Sequence, residues 1–240
     1  MGTHYLIDHE YLTDEATLYG SMGHLLVFNP GPVEAQVTIT LYFEDREPES
    51  FPFVAPAGQS TETNYEKWPV RPNSRFALKV ESLTPVACQS TVGWNNSKND
   101  YSPGAQTKSP HGVRECAKSY MAITQLNRDW YLPDGIVIDM PERIWVRESE
   151  WAILLNPGDQ PAEVSLALHY REVITHKVEL PARRLKYVYM DEIARRNDHY
   201  GVHFHSNQPV AVQWLRAVKW NEGSELMAYW SVPCIPGPLA

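Results

Sequence analysis

The chain has 240 residues, with 29 acidic against 21 basic side chains and a formal charge of −8. That balance excludes a broad basic surface for a phosphate backbone, whose binding depends on cations that release counterions, so nucleic acid is not an expected partner. Eight Trp, thirteen Tyr and nineteen Pro, with no long amphipathic helical period, point to an all-β chain.

In chain order, a short apolar piece, Tyr5, Leu6 and Ile7, is followed by an acidic connection through Asp14 and Glu15. An apolar run from His24 then ends at Asn29-Pro30-Gly31, a turn in which Pro presets φ and Gly accepts a positive φ. Beyond it alternation is strict: Val37, Ile39, Leu41 and Phe43 face the core, opposed by Thr38, Thr40 and Tyr42. Residues 44–50 read as a charged hairpin loop, 51–55 as a short strand and Pro56-Ala57-Gly58 as the next turn. The run 59–65 is rich in Ser and Thr, which suits an edge strand. Phe76, Leu78 and Val80 point inward on the next strand, Pro85 marks a turn, and 86–92 form the strand after it. Residues 95–118 are rich in Asn, Ser, Gly and Pro and read as a mobile excursion that could serve as a lid.

The same order then returns. Trp151 to Leu155 lead into Asn156-Pro157-Gly158, and Val164, Leu166, Leu168 and Tyr170 alternate with Ser165, Ala167 and His169. Residues 178–180 match 53–55, residues 200–206 match 76–82, and residues 209–213 match 85–89, while 191–196 can form a helical turn or two. Period and register both repeat, so the chain is a duplication with units of roughly 120 residues, each large enough to bury a core. Short connections without long helices imply antiparallel pairing. The expected architecture is therefore all-β, two tandem antiparallel β-sandwich domains of jelly-roll type, 1–117 and 118–240.

Leu155-Asn156-Pro157-Gly158-Asp159, the alternating strand to Tyr170, Leu180-Pro181-Ala182-Arg183-Arg184, Ser206-Asn207-Gln208-Pro209-Val210, and Gln213 with Arg216 resemble the sensory rhodopsin transducer family. The likeness covers most of residues 118–233. The first unit matches more loosely, with Gly58 and Gln59 in place of Arg183 and Arg184, and Val92 in place of Arg216. The resemblance implies small prokaryotic β-sandwich proteins that oligomerise and are proposed to bind small molecules, sugars among them. It implies a homodimer that recreates four units, and a ligand held by the second unit, which alone has the arginines. A rhodopsin partner does not follow from these motifs.

Candidate sites are few. His203 and His205 stand two apart on a strand and share a face, but their first-unit counterparts are Lys79 and Glu81, so an exposed face is expected and no metal. No cofactor and no catalytic constellation is indicated: there is no nucleophile elbow, no phosphate loop and no zinc-protease motif. Cys88 shares the inward face of Val86, where a buried inert thiol is the default. The three cysteines, Cys88, Cys116 and Cys234, have neither metal nor disulfide spacing. That spacing, and a start without a signal-like apolar core, lead to the expectation of a soluble cytoplasmic protein with no membrane insertion.

The more informative stretch is 213–221. Trp214 and Arg216 share a face by strand parity, and Trp220 and Asn221 match Trp94 and Asn95. With Arg184 they make up the candidate ligand-binding set, since rings beside guanidinium donors suit a sugar or polar metabolite. The competing assignment puts Trp214 in the core and Arg216 at the rim of an interface. Gln89 and Gln213 are read as partners of buried backbone groups. Two functions stand: a non-catalytic small-molecule-binding module in sensing or metabolism, and a structural or protein-interaction module in signalling without a ligand.

Overall fold

The computed structural model describes residues 2–11, 13–14, 19–95, 116–139, 146–220 and 226–238. The excursion read at 95–118 falls, from residue 96 to residue 115, outside the described residues. The first repeat contains β1 (Gly2–Tyr11), β2 (Thr13–Asp14), β3 (Tyr19–Asn29), β4 (Ala35–Phe43), β5 (Glu49–Ala55), β6 (Gln59–Asn64), β7 (Ser74–Ser82) and β8 (Ala87–Asn95), and β9 (Cys116–Met121), which pairs with β8, spans the boundary expected at residue 117. The second contains β10 (Asn127–Ile136), β11 (Ile138–Asp139), β12 (Val146–Asn156), β13 (Ala162–His169), β14 (Val173–Leu180), β15 (Arg184–Tyr189), β16 (His199–Trp220), β17 (Leu226–Pro233) and β18 (Ile235–Pro236). All strand pairs are antiparallel among the described residues. The protein is thus all-β, built as tandem antiparallel sandwiches.

In the first unit the sheet β1-β7-β4-β5 lies over the sheet β2-β3-β8-β9, which β6 joins along β3. The polar strand β6 pairs with β3 alone, so it does end its sheet. In the second unit β16 runs through both sheets: its first half pairs with β10 and β13, its second half with β12 and β17. It corresponds to β7 and β8 joined. The two bends are alike, since Ser82 Oγ accepts from Thr84 N at 3.2 Å and Ser206 Oγ accepts from Gln208 N at 3.3 Å.

The duplication holds down to single hydrogen bonds. Asn29 and Asn156 are both buried, and each uses its amide to close the following turn. Asn29 Nδ2 donates to Val33 O and Ala55 O at 2.8 and 2.9 Å, and its Oδ1 accepts from Gly31 N at 2.9 Å. Asn156 Nδ2 donates to Gln160 O at 2.8 Å, and its Oδ1 accepts from Gly158 N at 3.0 Å. Gly58 and Arg183 then occupy one left-handed position, with φ of 64° and 56°, and their N–H groups donate to Gly31 O and Gly158 O. An Arg held there is strained where a Gly is not.

The alternating strands bury Val37, Ile39, Leu41 and Phe43 in one unit and Val164, Leu166 and Leu168 in the other. Outward parity does not always mean exposure. Thr40, whose hydroxyl meets Ser50 Oγ at 2.9 Å, and Tyr42 are buried too; Tyr42 is covered because the outer face of β1 and β4 lies against β12, β15 and β16. Tyr5, Ile7, Tyr42 and Ala77 thereby belong to one apolar cluster with Ile153, Leu155, Leu185 and Leu215. Strand β9 hydrogen-bonds to β8, and Ile123 just beyond it exchanges backbone hydrogen bonds with Tyr5 at 2.7 and 2.8 Å. No helix among the described residues is long and apolar enough to cross a membrane.

Candidate functional site: a buried carboxylate and its guanidinium

Strand β12 pairs with the second half of β16 so that Ala152 faces Trp214 and Glu150 faces Arg216. Glu150 has the parity of Ala152 and Leu154, which places a carboxylate at an inward position, 0% exposed. A buried charge is tolerated only when its lone pairs are matched, and here they are. Oε1 accepts from the Arg216 guanidinium at 2.6 Å and from Trp214 Nε1 at 3.2 Å. Oε2 accepts from Tyr200 Oη at 2.6 Å and from Ile136 N at 3.0 Å. Burial pushes the Glu150 carboxyl above the usual carboxylate range, while the Tyr200 hydroxyl and the Arg216 charge pull it back. Burial, and then the Glu150 charge, push the Tyr200 phenol up.

Arg216 reaches outward from this pair, with 11% of its side chain exposed. It donates to Asp134 O at 3.1 Å and lies 3.6 Å from the Asp134 carboxylate and 4.0 Å from that of Glu148. The guanidinium therefore sits between one buried and two outer carboxylates. Gly135 makes room for Tyr200, since a Cβ there would press into the tyrosine ring.

The first unit fills the same volume differently. The registers place Gly23, Phe76, Ser90 and Val92 where the second unit has Glu150, Tyr200, Trp214 and Arg216. A Cβ at Gly23 would collide with the Tyr65 ring, which occupies the space and brings its hydroxyl to His9 Nδ1 at 3.0 Å. One fold thus closes with and without the ion pair.

Of the residues proposed from the sequence, Trp214 and Arg216 come together on Glu150. Arg184 does not join them: it begins β15 and pairs with Glu47 across the seam between units. Nearby, Tyr187 N donates to Glu44 Oε1 at 2.8 Å and Arg75 lies over the Tyr187 ring. The backbone of Trp220 pairs with Val146, and its side chain lies outside the described residues. The registers align Trp94 with Val218 rather than with Trp220, because Ser21 and Glu148 stand opposite them. Gln89 and Gln213 reach the backbone through a serine in both units: each donates to Ser119 Oγ or Ser231 Oγ, which donates on to Ser90 O or Trp214 O. Cys88 is buried and its thiol is pushed up to about 12 by that burial, which suits an inert core residue. A polar cleft of about 420 Å³ in the first unit is lined by Glu10, Glu44, Asp45, Arg46, Asn73, Ser74 and Arg75.

Glu150 and Tyr200 were not among the residues singled out from the sequence. Parity carried the signal for Glu150, a charge directly before and in phase with the apolar Ala152 and Leu154. For Tyr200 it was the hydroxyl gained over Phe76, its match in the first unit.

Fold and site together define a tandem β-sandwich protein whose second unit pairs a buried carboxylate, Glu150, with a guanidinium, Arg216, where the first unit has Gly23 and Val92. The chain belongs to the Anabaena sensory rhodopsin transducer family, whose model matches residues 5–100 and again residues 126–231. Among solved structures it is similar to the crystal structure of Thermotoga maritima 1070, at 18% identity and a TM-score of 0.41 over 48% of this chain and 97% of that one. It is also similar to the Anabaena sensory rhodopsin transducer, at 24% identity and a TM-score of 0.32 over 37% of this chain and 86% of that one. A comparison with curated proteins finds no match.

Proposed function

We propose that the chain is a non-catalytic binding module for a small polar metabolite, a sugar in the first instance, and that the second unit holds the ligand around Arg216. The supporting observation is the Glu150, Tyr200, Trp214 and Arg216 cluster set against its replacement in the first unit. A buried ion pair is seldom kept for stability, since apolar residues of similar volume do as well or better. Here the sister unit does without it, so a use beyond folding is the better account. Around Arg216 the carboxylates of Glu150, Glu148 and Asp134 outnumber the single cation. That balance repels an anion and offers hydroxyl groups both acceptors and a forked donor. Trp214, being buried, acts in this account by holding Glu150 rather than as a stacking platform. A thermal-shift screen against sugars and polar metabolites tests the proposal, because a ligand bound only by the native state raises the melting temperature. Neutral polyhydroxy compounds are expected to shift it; a panel without effect would count against binding.

A structural role in assembly is favoured by a separate observation. The outer face of β3 and β8 presents Leu26 and Gln89, with Phe28 44% and Met121 60% exposed. The equivalent face of the second unit, with Ile153, Leu155, Gln213 and Leu215, is covered by the first unit. We propose a second copy of the chain as the partner for the bare face, a homodimer of four sandwich units. Light scattering at micromolar concentration is expected to give twice the chain mass, and a strict monomer would contradict the assembly.

A further inference from the structure

On the outer face of the second unit, strands β10 and β16 pair so that Asp129 lies opposite His205 and Tyr131 opposite His203. Strand parity already puts His203 and His205 on one face, and the register adds a carboxylate that sequence spacing did not connect to them. Asp129 Oδ1 lies 2.8 Å from His203 Nε2 and 2.8 Å from His205 Nδ1. The three ligand atoms all lie within 4.8 Å of one another, a grouping of metal-ligand type among the described residues. We propose that Asp129, His203 and His205 bind a divalent transition-metal ion of the zinc, nickel or copper class.

The donor set suits that class. Two imidazole nitrogens and one carboxylate oxygen are borderline ligands that zinc, nickel and copper accept and that magnesium and calcium do not favour. Bonds of about 2.0–2.2 Å need ligand atoms roughly 3.0–3.5 Å apart, so each imidazole must draw back from Asp129 Oδ1 by a few tenths of an ångström while the two nitrogens, now within 4.8 Å of each other, turn toward a common ion. Three protein ligands leave room for water to complete the coordination.

The surroundings hold the ligands and leave the approach open. All three sit on paired strands rather than on a loop. The Tyr131 ring stacks on His203 at 4.7 Å and 11°, and Gly237 N donates to Asp129 O at 2.7 Å, fastening the strand behind the carboxylate. Gly237 is needed for that approach, because a Cβ there would stand 2.8 Å from Asp129 Cβ. Across β16 the neighbours are small: Ser165 opposite His205 and Ala167 opposite His203. The ligands are 31 to 59% exposed, within reach of an ion from solvent. In the first unit the same registers place Thr3, Lys79 and Glu81, and Lys79 Nζ pairs with Glu81 at 2.8 Å. An ammonium there stands in the way of a metal ion, so the site belongs to the second unit alone.

The test is calorimetric titration of the full chain with zinc chloride, and separately with nickel chloride, in a non-coordinating buffer. One ion per chain is expected at this site. His203→Gln and His205→Gln should each weaken binding by at least about a hundredfold, beyond the ten- to hundredfold that loss of an outer-shell partner costs. Asp129→Asn should weaken it less, because an amide oxygen remains a ligand. His169→Gln and His199→Gln, exposed histidines outside the group, should leave it unchanged. Circular dichroism confirms the fold of each variant. Absence of binding, or binding indifferent to His203→Gln and His205→Gln or lost with His169→Gln or His199→Gln, would overturn the proposal.

Discussion

Arg216→Ala is expected to destabilise the chain by about 3–5 kcal/mol near neutral pH, the usual cost of leaving a buried charge without its partner. Glu150 would keep Tyr200, Trp214 and Ile136 N as donors but lose the one cation bonded to it among the described residues. The deficit should depend on pH in a defined direction. A carboxyl whose folded pKa is raised gives stability that is present below its unfolded value, about 4.3, and lost as pH rises through the folded value. Burial already places Glu150 in that situation, and removing Arg216 raises the folded value further. Urea titrations at about pH 5 and pH 7.5 should therefore show a smaller deficit at the lower pH. Glu150→Gln in the Arg216→Ala background should recover much of the loss at neutral pH, since the amide oxygen still accepts from Tyr200. A deficit equal at both pH values would show that Glu150 is not the group responsible.

Gly23→Ala, at the position corresponding to Glu150, is expected to cost about 3 kcal/mol, the upper range for overpacking a well-filled core. The added Cβ meets the Tyr65 ring, which is buried and cannot swing aside without leaving His9 Nδ1. In a Tyr65→Met background, which installs the residue that the registers align with Tyr65 in the second unit, Met190, the same substitution should cost well under half as much. Chemical denaturation of the four proteins gives the coupling directly. Additive costs would mean that the Tyr65 ring does not fill the volume that Glu150 occupies in the sister unit.

Much of the fold was legible because its determinants are local. Asn-Pro-Gly at 29–31 and 156–158 fixes a turn by its own chemistry, and the strict period after each turn reports which side chains face a core. What was not legible depends on which sheet lies against which. Tyr42 has outward parity yet is buried, because it packs with residues of the second unit, whereas Ser165 and His169 on the matching strand keep the alternation. Outward parity in a sequence cannot distinguish a wet face from a seam. Arg184 shows the same limit: its place opposite Asn156 was readable by alignment with Gln59, but its partner Glu47 comes from the other unit.

The site was half legible for a similar reason. Trp214 and Arg216 share a face by parity alone, so they could be grouped without a structure. Pairing Arg216 with Glu150 requires the register of β12 against β16. Asp129 was further out of reach, because the ladder between β10 and β16 slips between Asn127 and Asp129 and no count along the sequence would set it opposite His205.

Binding of a small polar ligand at Arg216 of the second unit is to be measured by calorimetric titration with a sugar found in the thermal-shift screen. The wild-type chain is to be compared with Arg216→Lys, which keeps a cation beside Glu150 and removes the planar fork, after both are shown to melt as folded proteins. Loss of a charge-assisted hydrogen bond worth about 1.5–3 kcal/mol predicts an affinity lower by about ten- to a hundredfold. Equal affinity in the two proteins, or a ligand that binds wholly to the first unit, would contradict the claim and leave assembly as the function.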